Sequence, residues 1–224
     1  MKDFFYFNDY IINNLAKEGE FPNNEFINAV KSENYEFSYI RYRLRSAYCS
    51  NVSWAFLTED FIKEVVEKFK ELNIKKAIDV FGGTGAFSYY VKKVDDSIDI
   101  ISYTVENDSY FNVLTPMKEN NKRKGILKVV RSHKEFYDLI DGFDCIIASW
   151  IPYELEDAEE LLLRMNRNQY ILVITEGEGG CIANDKFHNI LDDERMFRKI
   201  YEFNNLLNFE GIRDRAYLYR KLTD

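Results

Sequence analysis

The chain has 224 residues, 46% hydrophobic and 30% charged, with 38 acidic against 30 basic side chains and a formal net charge of -8. This length suits one α/β domain with a modest addition; the apolar fraction excludes a disordered chain, and no apolar run approaches the ~18 residues of a membrane helix. The acidic balance makes a nucleic-acid duplex a poor partner, and three scattered cysteines, Cys49, Cys145 and Cys181, support neither a disulfide framework nor a zinc site.

Met1 to Tyr6 meets Asn8 and Asp9 too early for a signal-peptide core, so a cytoplasmic location is the expectation. Residues 1–57 read as an N-terminal helical extension or lid and residues 58–224 as the main domain. In the extension, Tyr10, Ile11, Ile12 and Leu15, then Phe26, Ile27 and Val30, then Tyr39, Tyr42 and Leu44 recur at irregular helical spacing, punctuated by Gly19 and Pro22. Arg41, Arg43 and Arg45 sweep around the last of these helices and read as a solvated surface rather than one basic stripe. The next helix is cleaner: Thr58 caps it, Glu59 and Asp60 suit its first turn, and Phe61, Ile62, Val65, Val66, Phe69 and Leu72 form one apolar stripe.

Strands and helices then alternate. Strands are expected at Ala77–Phe81, Ile98–Val105, Ile126–Val130, Asp144–Ser149 and Tyr170–Thr175, with helices at Ala86–Val94, Asp157–Met165 and Lys186–Leu191, and a segment broken by Pro116. Short apolar runs separated by amphipathic segments predict a mostly parallel sheet covered on both faces. The segments Ile200–Phe203 and Ala216–Lys221 lie too close in sequence for a crossover helix, so they are expected to pair as an antiparallel hairpin at the sheet edge.

Three turns carry chemistry. In Asp79-Val80-Phe81-Gly82-Gly83-Thr84-Gly85 a buried strand turns sharply into a helix, and the glycines let a ligand approach bare backbone; a nucleotide, a dinucleotide or S-adenosylmethionine is compatible with it. Ser149-Trp150-Ile151-Pro152-Tyr153 directly follows the fourth strand, with a proline to stiffen it, a hydroxyl to accept hydrogen bonds and two aromatic rings. Thr175-Glu176-Gly177-Glu178-Gly179-Gly180-Cys181 follows the fifth strand. Its two carboxylates repel unless a cation, a proton or donors intervene, so Glu176 and Glu178 are read as facing a substrate amine or a hydroxyl-rich ligand, with a solvated acidic loop as the alternative. No His or third acid is spaced with them to make a metal site.

In this order, Ser53-Trp54-Ala55, Gly83-Thr84-Gly85, Trp150-Ile151-Pro152-Tyr153 and Glu176-Gly177-Glu178-Gly179-Gly180-Cys181 resemble a poorly characterised family of methyltransferase-like proteins. Its members carry Trp-Pro-Pro-Tyr and Gly-Glu-Gly-Glu-Gly-Gly-Cys turns, and the likeness spans about residues 52–222. It implies a class I, Rossmann-like three-layer sandwich whose sheet ends in an antiparallel hairpin, where a dinucleotide dehydrogenase continues with further parallel units. It also implies S-adenosyl-L-methionine as cofactor. Asp79 would hold its methionine amine, Phe81, Gly82, Gly83, Thr84 and Gly85 would frame it, Glu106 would take the ribose hydroxyls and Ser132 would face the adenine.

The second turn stands where methyltransferases acting on planar amino nitrogens carry Asp/Asn/Ser-Pro-Pro-Tyr/Phe. By this likeness Ser149, Trp150, Pro152 and Tyr153 align the acceptor, while Trp54, Glu176 and Glu178 lie on the substrate side. The chain departs at Phe81, where many methyltransferases have a glycine, at Ile151, where the family has proline, and at Trp150, which takes the polar position when Pro152-Tyr153 is aligned. The expected function is methylation of a small or exposed amine-bearing acceptor, at nitrogen. Two alternatives stand beside it: a binding module without turnover, and a nucleic-acid N-methyltransferase using Arg41, Arg43 and Arg45 interleaved with Tyr42 and Tyr48.

Overall fold

The computed structural model describes residues 4–31, 38–105, 115–153, 155, 158–176, 182–209 and 212–223. Seven strands make one sheet: β1 (Lys76–Asp79), β2 (Asp99–Val105), β3 (Leu127–Val130), β4 (Cys145–Ser149), β5 (Tyr170–Thr175), β6 (Phe197–Phe203) and β7 (Arg215–Lys221). Their order across the sheet is β3-β2-β1-β4-β5-β7-β6. Strands β1 to β5 run parallel, while β7 pairs antiparallel with both β5 and β6. This is the Rossmann-like methyltransferase fold, with the expected hairpin at one edge; β7 inserts next to β5 and leaves β6 outermost.

Side chains alternate between two cores, as the strand period of two requires. Ala77 of β1 and Ala216 and Leu218 of β7 face the first core, whereas Ile78 and Tyr219 face the second. Helices α4 (Glu59–Glu71) and α5 (Ala86–Val94) cover the first face; α7 (His133–Tyr137), α8 (Ala158–Arg164) and α9 (Asp185–Leu191) cover the second. Helix α4 starts where its sequence requires, with the Thr58 side chain accepting the Phe61 N–H at 3.3 Å.

Described residues before 58 pack into the first core. Helix α1 (Phe4–Tyr10) runs straight into a π-helical turn (Ile11–Lys17), which accounts for the irregular apolar spacing there; α2 (Asn24–Lys31) and α3 (Ser38–Asn51) follow. Phe7, Ile11, Leu15, Phe26 and Tyr48 are all buried in the cluster that holds Phe61, Val65 and Phe69.

Three details differ from the sequence reading. Strand β1 ends at Asp79, two residues early, because Val80 and Phe81 already form the turn, although the Val80 N–H still bonds Ile147 O at 3.1 Å. Pro116 does not break a segment. It opens helix α6 (Pro116–Arg123), where its missing N–H costs nothing and the Thr115 side chain caps the Lys118 N–H. Arg41 and Arg45, one helical turn apart on α3, are not solvated: Arg41 is buried and Arg45 half-buried, while Tyr42 remains exposed and the Arg43 guanidinium lies 4.0 Å from the Phe4 ring centre.

Candidate functional site

In an open parallel sheet, ligands bind beyond the carboxyl ends of the strands where the strand order reverses. Here the reversal falls between β1 and β4, and the residues leaving those two strands are the glycine turn and Ser149-Trp150. A cleft open to solvent lies there. Phe81, Gly82, Gly83 and Thr84 form one wall, Ser149 and Trp150 another, the end of α3 through Trp54 a third, and Lys118 of α6 closes the side.

The glycine turn is built by close approach. A side chain at Gly82 would put its Cβ 2.5 Å from Ser102 Cβ and 3.1 Å from Asp79 Oδ2; Gly83 and Gly85 have φ of 50° and 79°, in the left-handed region that glycine adopts without strain. The Gly82 N–H bonds Tyr103 O at 2.9 Å, the Asn121 amide donates to Thr84 O at 3.0 Å, and the Thr84 hydroxyl donates to Val52 O. That last bond ties the turn to the opposite wall. Gly82→Ala is expected to cost about 1–3 kcal/mol by overpacking, measured by urea unfolding, with part recovered in the Gly82→Ala/Ser102→Gly double variant.

Asp79 lies under this turn, 1% exposed. Its Oδ2 accepts the Ser102 hydroxyl at 3.0 Å, and Ser102 in turn meets the Ser88 hydroxyl at 2.7 Å. Oδ1 is buried with no hydrogen-bond partner among the described residues. Burial pushes the carboxyl up to about 7, against the pull of the Ser102 hydroxyl and the Phe81 backbone N–H. A buried acid with an unpartnered oxygen is suited to a cationic partner, although Asp79 itself is not among the lining residues. Phe81, at the position of a glycine in many methyltransferases, packs edge-on against Phe136 at 5.7 Å and so anchors the turn to the second core.

The opposite wall is aromatic. Trp54 and Trp150 stack with ring centres 5.2 Å apart and planes 29° from parallel. Trp150 has φ of 53°, a left-handed conformation unusual for a bulky residue and of the kind that clusters at functional sites. Its backbone N–H bonds Ile174 O at 3.1 Å and its indole N–H donates to Asp214 Oδ2 at 3.1 Å. The Arg45 guanidinium sits beside the stack, 5.9 and 5.8 Å from the Trp54 and Trp150 ring centres.

Among the residues singled out in the sequence, Trp54, Phe81, Gly82, Gly83, Thr84, Ser149 and Trp150 line this cleft. Pro152 and Tyr153 do not: Pro152 bridges to Ile182, and Tyr153 is 55% exposed. Ser132 is an exposed residue at the start of α7 and is not among the lining residues. Glu176 follows β5 half-buried, close enough to Asp214 to raise its proton affinity. Glu106 and Glu178 lie outside the described residues. Sequence reading did not place Cys49, Lys118, Arg45 or Asp214 at or beside this cleft. Cys49 borders the cleft with its thiol pushed up to about 12 by burial, so it is a neutral wall rather than a nucleophile.

No protein-family model and no curated protein matches the chain by sequence. Among solved structures, human N-acetylserotonin methyltransferase in complex with SAM is similar at a TM-score of 0.50 and 16% identity, over 98% of this chain and 67% of that one. N,N-8-amino-8-demethyl-D-riboflavin dimethyltransferase from Streptomyces davawensis is similar at 0.50 and 13% identity, over 88% of this chain and 70% of that one. At these identities the likeness establishes the Rossmann-like methyltransferase fold.

Proposed function

We propose that this chain binds S-adenosyl-L-methionine between the glycine turn and the tryptophan wall and methylates a small or exposed amine-bearing acceptor. The observation that carries this reading is the unpartnered, buried Oδ1 of Asp79 under a glycine turn at the switch point of the sheet. The donor set fits the cofactor: Asp79 is matched to its ammonium, and the turn from Phe81 to Gly85 brings bare backbone to the cleft. When bound, the cofactor supplies an electrophilic methyl group. The protein supplies alignment and a water-poor wall, which are the main demands of a transfer to a nitrogen that is already nucleophilic. Residues 1–57 serve this reading as a cover, since Cys49, Val52, Ser53 and Trp54 complete the cleft.

Isothermal titration with S-adenosyl-L-methionine tests the proposal, and no heat at millimolar cofactor sinks it. Pairing the ammonium with Asp79 has a further signature. A carboxyl raised to about 7 is largely protonated in the free protein below neutral pH, so binding there should release protons. The slope of binding heat against buffer ionisation enthalpy reads this, and Asp79→Asn should show none of that release.

One observation favours the second reading, a binding module without turnover. The position that accepts amino protons in the aligned turn is here Trp150, an N–H donor already bonded to Asp214. Tight cofactor binding with no S-adenosylhomocysteine formed across amine, nucleoside and peptide pools would support that reading instead.

A further inference from the structure

Beside the tryptophan wall, next to but not among the residues that line the cleft, lie polar groups that fold and cofactor leave unexplained. Asp214, in the connection entering β7, is 5% exposed. Its Oδ2 is bonded to the Trp150 indole, but its Oδ1 is buried with no hydrogen-bond partner among the described residues. Asn208, whose amide donates to Asp214 O at 3.1 Å, keeps a buried Oδ1 likewise without a partner. Two buried acceptor oxygens on adjoining residues lack a donor, and each left unmet costs about 1–3 kcal/mol.

We infer that Asp214 Oδ1 faces the methyl acceptor, and that the acceptor is a primary or secondary amine whose N–H or N–H⁺ it receives at the tryptophan pair; this rests on the function proposed above. The surroundings support a cation over an anion. Asp214 bonds Trp150, and its charge helps to raise the Cys49 thiol; both partners are cleft residues. The groups facing it are the Arg45 guanidinium and Cys49 thiol from α3, the Trp150 indole N–H from the turn after β4, and the Glu176 carboxylate after β5. One cation against two carboxylates leaves a net negative end, and the indole faces add attraction for an ammonium. A bound ammonium passes one proton to Oδ1, leaving a neutral carboxyl and a nitrogen with its lone pair free; the carboxyl then returns the proton to solvent. Burial, the largest influence, raises Asp214 to about 7, with Glu176 adding to it, which brings the two proton affinities closer than for an ordinary aspartate.

The chain has two tryptophans, both in this stack, so its tryptophan emission reports on this site. Wild type and Asp214→Asn are titrated, without cofactor, with benzylamine, N,N,N-trimethylbenzylammonium and benzyl alcohol. Asn keeps an oxygen for the Trp150 indole but loses the charge. In wild type, benzylamine should change the emission saturably and bind at least about tenfold tighter than the other two probes; Asp214→Asn should weaken it about tenfold or more. Lowering the pH from about 8 to 6 should weaken benzylamine in wild type and leave the variant unchanged, because only a carboxylate pairs with the ammonium. No response in wild type, equal affinity in the variant, or equal binding of the trimethyl analogue overturns the inference. If cofactor binding fails while an Asp214-dependent amine response persists, methyl transfer falls and the amine site stands; normal cofactor binding without that response removes the amine site alone.

Discussion

Asp79→Asn is expected to lower S-adenosyl-L-methionine affinity by about 100-fold or more while making the unliganded protein more stable at neutral and alkaline pH. The two effects share one cause. The carboxyl is buried, bonded through one oxygen only, and raised from 3.8 to about 7, which corresponds to a penalty of about 4 kcal/mol for holding it ionised in the folded chain. The sign follows from the direction of the shift. With the folded value above the unfolded one, Asp79 contributes its stability in full below about pH 4 and loses it as pH rises towards 7. The variant's advantage in melting temperature should therefore be absent near pH 4, grow between about pH 4 and 7, and stay level above that. A difference independent of pH, or cofactor affinity like that of wild type, would refute the assignment of Asp79 as the ammonium partner. Such a site trades stability for binding.

Tyr48→Ala should be the most damaging change outside the cleft, at about 3–5 kcal/mol, measured by denaturant unfolding. The Tyr48 ring is fully buried; it meets Phe26, Phe56 and Phe209 at 6.2, 5.3 and 5.5 Å, and its hydroxyl accepts the Leu57 N–H at 3.2 Å. It thus pins the end of α3, from which Cys49, Val52, Ser53 and Trp54 continue as cleft wall. Cavity formation there should also free the wall, so both tryptophans should shift to longer emission wavelengths in the folded variant. Tyr48→Phe, which loses only the hydroxyl, should cost about 1 kcal/mol and leave the emission unchanged. A Tyr48→Ala protein with wild-type emission would show that the tryptophan wall stands without this anchor.

Burial raises the carboxyl in the same direction at Asp79 and at Asp214, but their surroundings differ. At Asp79 the unmet oxygen lies beneath bare backbone, whereas at Asp214 it lies behind an indole that already occupies the second oxygen. On the function proposed above, the cofactor ammonium and an acceptor amine would meet different surroundings.

Local features of the site were readable from residue order. Asp79 and the three glycines announced a strand turning into a helix over exposed backbone, Thr58 announced its helix start, and the short gap between the last two apolar runs announced an antiparallel hairpin. Each of these depends on neighbours within a few residues, where backbone sterics and capping decide the outcome. Pro116 misled because a proline suits a first helical turn as well as a break, and spacing does not choose between them.

The amino-acid order thus determined the sheet class, the glycine turn and the candidate tryptophans, because strand alternation and glycine turns are local properties of the chain. Only the tertiary structure decided that Trp54 stacks on Trp150, that Arg45 and Asp214 converge on that pair, and that Arg41 and Arg45 of α3 turn inward. These contacts join α3, the turn after β4 and the entry to β7, segments far apart in sequence, and only packing both faces of one sheet brings them together.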